Sequence, residues 1–417
     1  MTPCLHAAAL LLASHLLWSS FASDTVPNQG RDRSTQPGTA EQNNNSTIID
    51  SNASSVSSFS SSSPSYGGYT QPFPPHHFKL PSFYTSYYKT IGGYTITGHL
   101  GSGGLGNVFL AESTTSASDA GTLPSKTVAI KLTRMEGYEQ LPRLASEVIA
   151  LQRVNGHLNC CGIQAQGQVG SNIYVAMPVY EGMSLRDIIK RHRLKLTREM
   201  LLTVIKDIAS GLEHVHANNI LHMDIKPGNV FLDTQTGNFV IGDFGVCRVG
   251  YLGGPPVESH AYAGSLGYAA PETLRADLGF SNADPITQKA DLWALGVVMF
   301  ELIKGEMPYI IYNGTPLSTA IRDLSEHMEH NPITLQSLLS DTGIRAYGES
   351  CCKLLSSLLS IDPNKRPTAA QVLTHGCFKQ IDAAAQRPSF TQHFARPAPH
   401  QSPTKLDLIL FSHANHL

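Results

Sequence analysis

The sequence lacks any cysteine spacing suited to a metal. Its seven cysteines include the adjacent pairs Cys160–Cys161 and Cys351–Cys352, but no C-x-x-C and no zinc-type arrangement. Cysteine usage therefore says nothing about redox compartment. His214 and His216, two apart on an expected helix, point to different sides and do not share a metal easily. Excess positive charge is missing as well: 30 Lys and Arg stand against 32 Asp and Glu, for a net charge of −2. No global basic field then argues for nucleic acid as a partner. The densest basic run, "KRHRLK" from Lys190 to Lys195, fits either a solvated helix end or a dock for an acidic partner.

Apolar runs long enough to cross a bilayer are absent too. The stretch from Ala7 to Trp18 falls short of the roughly 20 residues a membrane helix needs. It fits a secretory leader, residues 1–22, with Ser20 and Ala22 supplying the small-x-small cleavage pattern. Against this stand the missing Lys or Arg before it and His15 within it; an uncleaved anchor or a cytoplasmic extension is the alternative. Residues 23–93 are Ser-, Asn- and Pro-rich, with few aliphatic residues to offset chain entropy, and are expected to be mostly disordered. Their last part, 82–93, is rich in Tyr. Asn44, Asn45, Asn52 and Asn313 begin N-x-[ST] sequons, which matter only in the secretory pathway.

Order is expected from Tyr94. "YTITGHL" and "NVFLAES" alternate as strands around a glycine turn, and "TVAIKLT" reads as a third strand. "QLPRLASEVIALQRV" has Leu144, Val148 and Leu151 on one helical face and Pro142 in its first turn. "NIYVAMPVY" is a further strand, and helices dominate after it. Leu201, Ile205, Ile208, Leu212 and Val215 form one stripe, while "ADLWALGVVMFELI" is apolar nearly all round, as a buried helix would be. Strands first and helices later imply an α+β chain of two lobes with a cleft between them. The tail, 379–417, is expected to be mobile, with "LDLILF" a candidate for docking.

Four groups of residues carry chemistry. "GSGGLGNV" supplies Gly101, Ser102, Gly103, Gly104, Leu105, Gly106 and Val108 in G-x-G-x-x-G-x-V spacing, where bare backbone can close over phosphates. A dinucleotide-binding reading fails, because the chain continues as strand rather than helix. Lys131 in "VAIK" offers an ammonium for phosphates, and Glu147 on the next helix is a carboxylate able to fix it. Asp224, Lys226 and Asn229 lie within six residues in "HMDIKPGN", with Asp243 in "IGDFGV". Asp243 and the Asn229 amide oxygen are hard donors suited to Mg²⁺. Asp224 is placed to accept the proton of an attacking hydroxyl.

In this order, together with "APE" at Ala270–Glu272, "DLWALG" from Asp291 and "DPNKRPT" containing Arg366, these motifs resemble the eukaryotic protein kinase family, its serine/threonine branch. The resemblance covers residues 94–378. It implies a bilobal kinase fold: a small antiparallel sheet with one main helix (94–177), a hinge (178–183) and a larger, mostly helical lobe (184–378). It further implies ATP and Mg²⁺ as cofactors and protein substrates phosphorylated on serine or threonine. Catalysis would fall to Asp224, Lys226 and Lys131, and metal binding to Asn229 and Asp243. Nucleotide contacts would come from the glycine loop, Ala129, Glu147, Met177 as gatekeeper, Pro178, Tyr180 and Ser184. Glu272 should pair with Arg366, Asp291 should brace the catalytic loop, and Ser265 should help orient the hydroxyl. Gly228 and Ser184 lack the acidic groups with which several relatives select Arg upstream of the target. Met223 stands where the family has Arg in H-R-D; that residue contacts the activation segment, so control should change more than chemistry. The alternative is a pseudokinase that binds nucleotide without transfer. A kinase domain behind a leader is similar to secreted effector kinases such as the rhoptry kinases of apicomplexan parasites.

Overall fold

Alternation along one strand builds the smaller lobe. In the computed structural model the described residues run from 89 to 390, without 104–105, 115–126, 136, 138–139, 181–183, 193–195, 260–263, 280–284, 312–314 and 380–389. The leader, the sequons, Gly104, Leu105, the end of the hinge, Tyr262 and "LDLILF" lie outside them. The first four strands are β1 (Thr90–Ile91), β2 (Tyr94–Gly103), β3 (Gly106–Ser113) and β4 (Thr127–Arg134). Helix α1 (Leu141–Arg153) follows, then β5 (Ala165–Val169) and β6 (Asn172–Pro178). They form one antiparallel sheet in the order β1-β2-β3-β4-β6-β5. On β4, Val128, Ile130 and Leu132 join Phe109, Tyr174 and Ala176 in one apolar cluster. Successive strand side chains face opposite ways, so Ala129 and Lys131 look toward the other face, opposite Met177 and Val175 of β6. Order starts a little before Tyr94, because Ile91 of β1 is buried and pairs with Tyr94.

The larger lobe is mostly helical. Its leading elements are α2 (Leu185–His192), α3 (Arg198–Ala217), the short strands β7 (Ile220–Leu221), β8 (Val230–Leu232), β9 (Phe239–Ile241) and β10 (Arg248–Val249), then α4 (Pro271–Asp277) and α5 (Gln288–Lys304). Five shorter or peripheral helices follow between Leu317 and Leu373. Thr197 and Thr287 cap the starts of α3 and α5 by accepting backbone N–H bonds, satisfying donors the helices leave open. Helix α5 is buried on almost every side, Trp293 included, as its unbroken apolar pattern requires. The stripe on α3 is likewise buried, but so are Met200, Leu202 and Val204, because elements pack it from several directions. Lys190 lies in the C-terminal part of α2 and is exposed. Within the tail, Phe390 is buried edge-on against Phe239, ring centres 4.9 Å apart.

One buried ion pair ties the end of this lobe to its middle. The Arg366 guanidinium forks onto both oxygens of Glu272 at 2.7 and 2.8 Å. Its other N–H groups donate to the carbonyls of Ser360, Lys289 and Ile361, and it lies 5.0 Å from the Trp293 ring centre. All five N–H groups of the guanidinium are thus used. Loss of one partner leaves the other buried and unpaired, so Arg366→Ala should destabilise the chain by about 3–5 kcal/mol. Urea unfolding is the check, and replacing Glu272 and Arg366 together by Met should recover part of that loss.

Candidate active site

Lys131 is the point where three elements meet. From the middle of β4 its Nζ lies 2.5 Å from Glu147 on α1 and 3.4 Å from Asp243, which follows β9. Both Lys131 and Glu147 are buried, so Glu147 is an internal counter-charge to Lys131. Burial opposes the charge on Lys131, but the Glu147 and Asp243 carboxylates more than compensate and hold its pKa above the usual lysine value. For Asp243, burial alone would raise the pKa; the Lys131 and Lys226 ammoniums, with the Gly245 N–H, outweigh it and keep the carboxyl below its ordinary range. Asp243 sits at φ +59°, a left-handed backbone that aims its side chain back at Lys131.

The catalytic-loop residues hang from Asp291 of α5. Its carboxylate accepts the backbone N–H groups of His222 at 3.0 Å and Met223 at 2.8 Å, and lies 2.9 Å from His216 Nε2. Burial would raise the Asp291 pKa, yet His216 and these donors hold it low. Burial outweighs the nearby carboxylates at His222 and depresses its pKa, leaving a neutral ring. With Nε2 3.2 Å from the Gly242 carbonyl and Nδ1 accepting from the Asp224 N–H, the proton belongs on Nε2. Asp224 Oδ2 accepts from Lys226 at 2.8 Å and from Asn229 at 2.9 Å. Lys226 also donates to Ser265 Oγ at 2.7 Å. Asp224 Oδ1 is buried and has no partner among the described residues. Gly264 stands before it at φ +112°, where an added Cβ would come within 2.2 Å of the Met223 carbonyl and 3.2 Å of that oxygen. Met223 itself adopts φ +67° and packs its side chain on the large apolar core.

Apolar residues from both lobes meet in one small cluster, the slot. Leu100, Val108 and Ala129 above it cluster with Phe231 below. Met177, opposite Ala129 across the ladder, is buried at its back. Pro178 ends β6, and the Tyr180 ring stacks parallel to Phe231 at 6.2 Å. Among the described residues, no backbone hydrogen bond engages the Tyr180 N–H or C=O. Ser184 bridges to Phe231, but its hydroxyl donates to Asp187 Oδ2 at 2.6 Å and caps α2. Where a longer residue at Gly228 would begin, the Arg186 guanidinium already lies 3.4 Å away. Over the slot, β2 and β3 pair through Gly101↔Val108 and Gly103↔Gly106. Gly106, at φ +131°, has no room for a Cβ beside the Leu132 carbonyl. Ser102 donates to Asn107 at 2.6 Å and lies 3.0 Å from His99.

Lys131, Glu147, Asp224, Lys226, Asn229 and Asp243 therefore converge on one cleft with the slot beside them. Leu100, Phe231 and Gly264 belong to it without having stood out in the sequence. The two hydrophobic residues look like ordinary core, and the glycine needs its backbone angle to be noticed. Asn229 Oδ1 and Asp243 Oδ2 have no donor among the described residues, since Asn229 Nδ2 serves Asp224 and Asp243 Oδ1 serves Lys131 and Gly245. Two oxygens left open in this way fit a hard cation.

Comparison with known proteins agrees with this geometry. The protein kinase domain model matches residues 94–378. The chain is 30% identical over 271 residues to germinal center kinase 3 of Caenorhabditis elegans, covering 61% of this chain and 43% of that protein. It is 32% identical over 225 residues to the serine/threonine-protein kinase PrkC of Bacillus subtilis, covering 53% and 32%. Over 317 residues it is 28% identical to the serine/threonine-protein kinase PknJ of Mycobacterium bovis, covering 75% and 48%. The chain thus spans between a third and a half of the length of these curated relatives. The cleft, its residues and the matched domain together make this chain a member of the protein kinase family.

Proposed function

We propose that the chain is an ATP-dependent serine/threonine protein kinase that works with Mg²⁺. The observation that carries the reading is Asp224 Oδ1, a buried carboxylate oxygen without a partner among the described residues. An unpaired buried acceptor is costly and is explained if a substrate hydroxyl donates to it. Asp224 would then orient that hydroxyl and accept its proton, while Lys226, held between Asp224 and Ser265, places positive charge beside the moving phosphoryl group. Lys131 has three N–H groups and uses two on Glu147 and Asp243, so one remains for phosphate oxygens. The slot between Val108, Ala129 and Phe231 has the flat apolar walls an adenine ring needs, with the Tyr180 backbone as its polar edge. Asn229 and Asp243 would hold Mg²⁺, which offsets phosphate charge when bound. Positioning and electrostatics are the protein's main contributions to this reaction. Lys226 beside Ser265 favours serine and threonine. Gly228 without a carboxylate, and Arg186 next to it, weigh against substrates carrying Arg upstream of the target. Asp243→Asn and Lys131→Met should lower transfer to a generic protein substrate by orders of magnitude, with circular dichroism unchanged. Activity near wild type in either variant overturns the assignment.

We further propose that the protein enters the secretory pathway, on the pattern of residues 1–22. Among the described residues no helix is long and apolar enough to cross a membrane. All six cysteines there are free and buried, which suits either compartment. Expression in a secretory host should yield a mature chain starting at Ser23, with sugar on some of Asn44, Asn45 and Asn52. A full-length, unglycosylated cytosolic product contradicts secretion.

A further inference from the structure

Asn219 occupies the turn between α3 and β7, just before the catalytic loop, and has no part in the chemistry above. It is buried, at φ +54°. Its Nδ2 donates to the carbonyls of Tyr251 at 2.9 Å and Pro255 at 2.8 Å. Its Oδ1 accepts the Val257 N–H at 2.7 Å. Its own carbonyl accepts the Gly250 N–H at 2.9 Å. Gly250 is so close that a Cβ there would lie 2.5 Å from Asn219 Nδ2. One neutral side chain therefore spends both amide hydrogens and its oxygen on residues 251–257, the first part of the segment that follows Asp243.

The residue type is narrowly specified. Turning the carboxamide over would set oxygen against two carbonyls and N–H against N–H, so its orientation follows from its partners. Asp has the same shape but no amide hydrogens for those two carbonyls. Gly accepts the left-handed backbone but brings no side chain. Asn combines tolerance of that backbone with two donors and an acceptor. Beyond Val257, Ser259 exchanges two 2.9 Å backbone bonds with Ile286, which fastens the segment again. On the inner side, Arg153 of α1 donates to the Gly250 carbonyl at 2.7 Å and Arg143 to that of Gly245 at 2.7 Å. The order of this segment is thus coupled to the helix that carries Glu147.

Position 223, half-buried beside this turn, carries the uncharged Met223 and so offers no cation for a phosphate on the segment to neutralise. We propose that Asn219 is the positioning residue that holds segment 250–259 in its ordered form without phosphorylation. The proposal rests on the kinase reading for its kinetic consequences only. Its test uses the full chain, dephosphorylated, in wild-type, Asn219→Gly and Asn219→Asp forms. Asn219→Gly keeps the backbone conformation and removes the three side-chain bonds.

Amides of 250–259 should exchange with deuterium about tenfold faster or more in both variants, while those of α3 and α5 keep wild-type rates. The protein-substrate KM should rise while the ATP KM stays the same, and phosphatase treatment should leave wild-type activity within about twofold. Val257→Pro, which removes the loop-side N–H at the cost of a fixed φ and the Val257 side chain, should reproduce the local exchange change and serves if the Asn219 variants fail to fold. Wild-type exchange across 250–259 in the variants, or equal acceleration throughout α3 and α5, overturns the proposal. So does a tenfold or larger fall in wild-type activity on dephosphorylation. If the wild type transfers no phosphate at all, the kinase reading fails, and the exchange rates still decide the role of Asn219.

Discussion

A buried ammonium held between two carboxylates is the constraint on which the rest of the site depends. Lys131 comes from the sheet, Glu147 from α1 and Asp243 from the segment after β9. Removing any one of them leaves charge uncompensated in a place where that costs several kcal/mol. The sheet, the helix and the segment are therefore obliged to meet, and their meeting closes the cleft. The pKa directions express the same coupling: Lys131 is held charged by its carboxylates and Asp243 by its cations, each against burial.

The larger lobe supplies the fixed side of this arrangement. Asp291, carried on a helix buried on almost every side, holds two consecutive backbone N–H groups of the catalytic loop. Those bonds fix the unusual backbone at Met223 and place Asp224 so that one oxygen is tied and the other is open. Arg366 and Glu272 anchor α4 to the end of the lobe, just beyond Ser265 and Gly264. The slot for a flat ring arises between two separately built surfaces, with Ala129 and Val108 on one side and Phe231 on the other.

Much of this is legible in the sequence, for local reasons. The alternation of "TVAIKLT" separates Lys131 from its apolar neighbours, and Pro142 marks the first turn of α1. Asp224, Lys226 and Asn229 lie so close in the chain that their convergence follows from a short loop. What could not be read depends on distant partners. Glu147 can be matched to Lys131 from the motif order, but its full burial follows only from the packing of its helix. Ser184 belongs to a nucleotide-contact position in the family pattern, yet its hydroxyl is drawn to Asp187 one helical turn on. Phe231, Gly264 and Asn219 take their roles from contacts across the fold, and no spacing signals them. Residues 1–88 and 391–417 carry the expectations about secretion and the tail, and they lie outside the described structure.

Phosphoamino-acid analysis after a single turnover tests the central claim most directly. Radiolabelled ATP and Mg²⁺ are given to an excess of the wild-type chain with a mixed protein substrate. Label should appear in phosphoserine and phosphothreonine and should require the cation. A chain whose melting temperature rises with ATP and Mg²⁺, but which places no label on any hydroxyl, would contradict it and leave a binding module in its place.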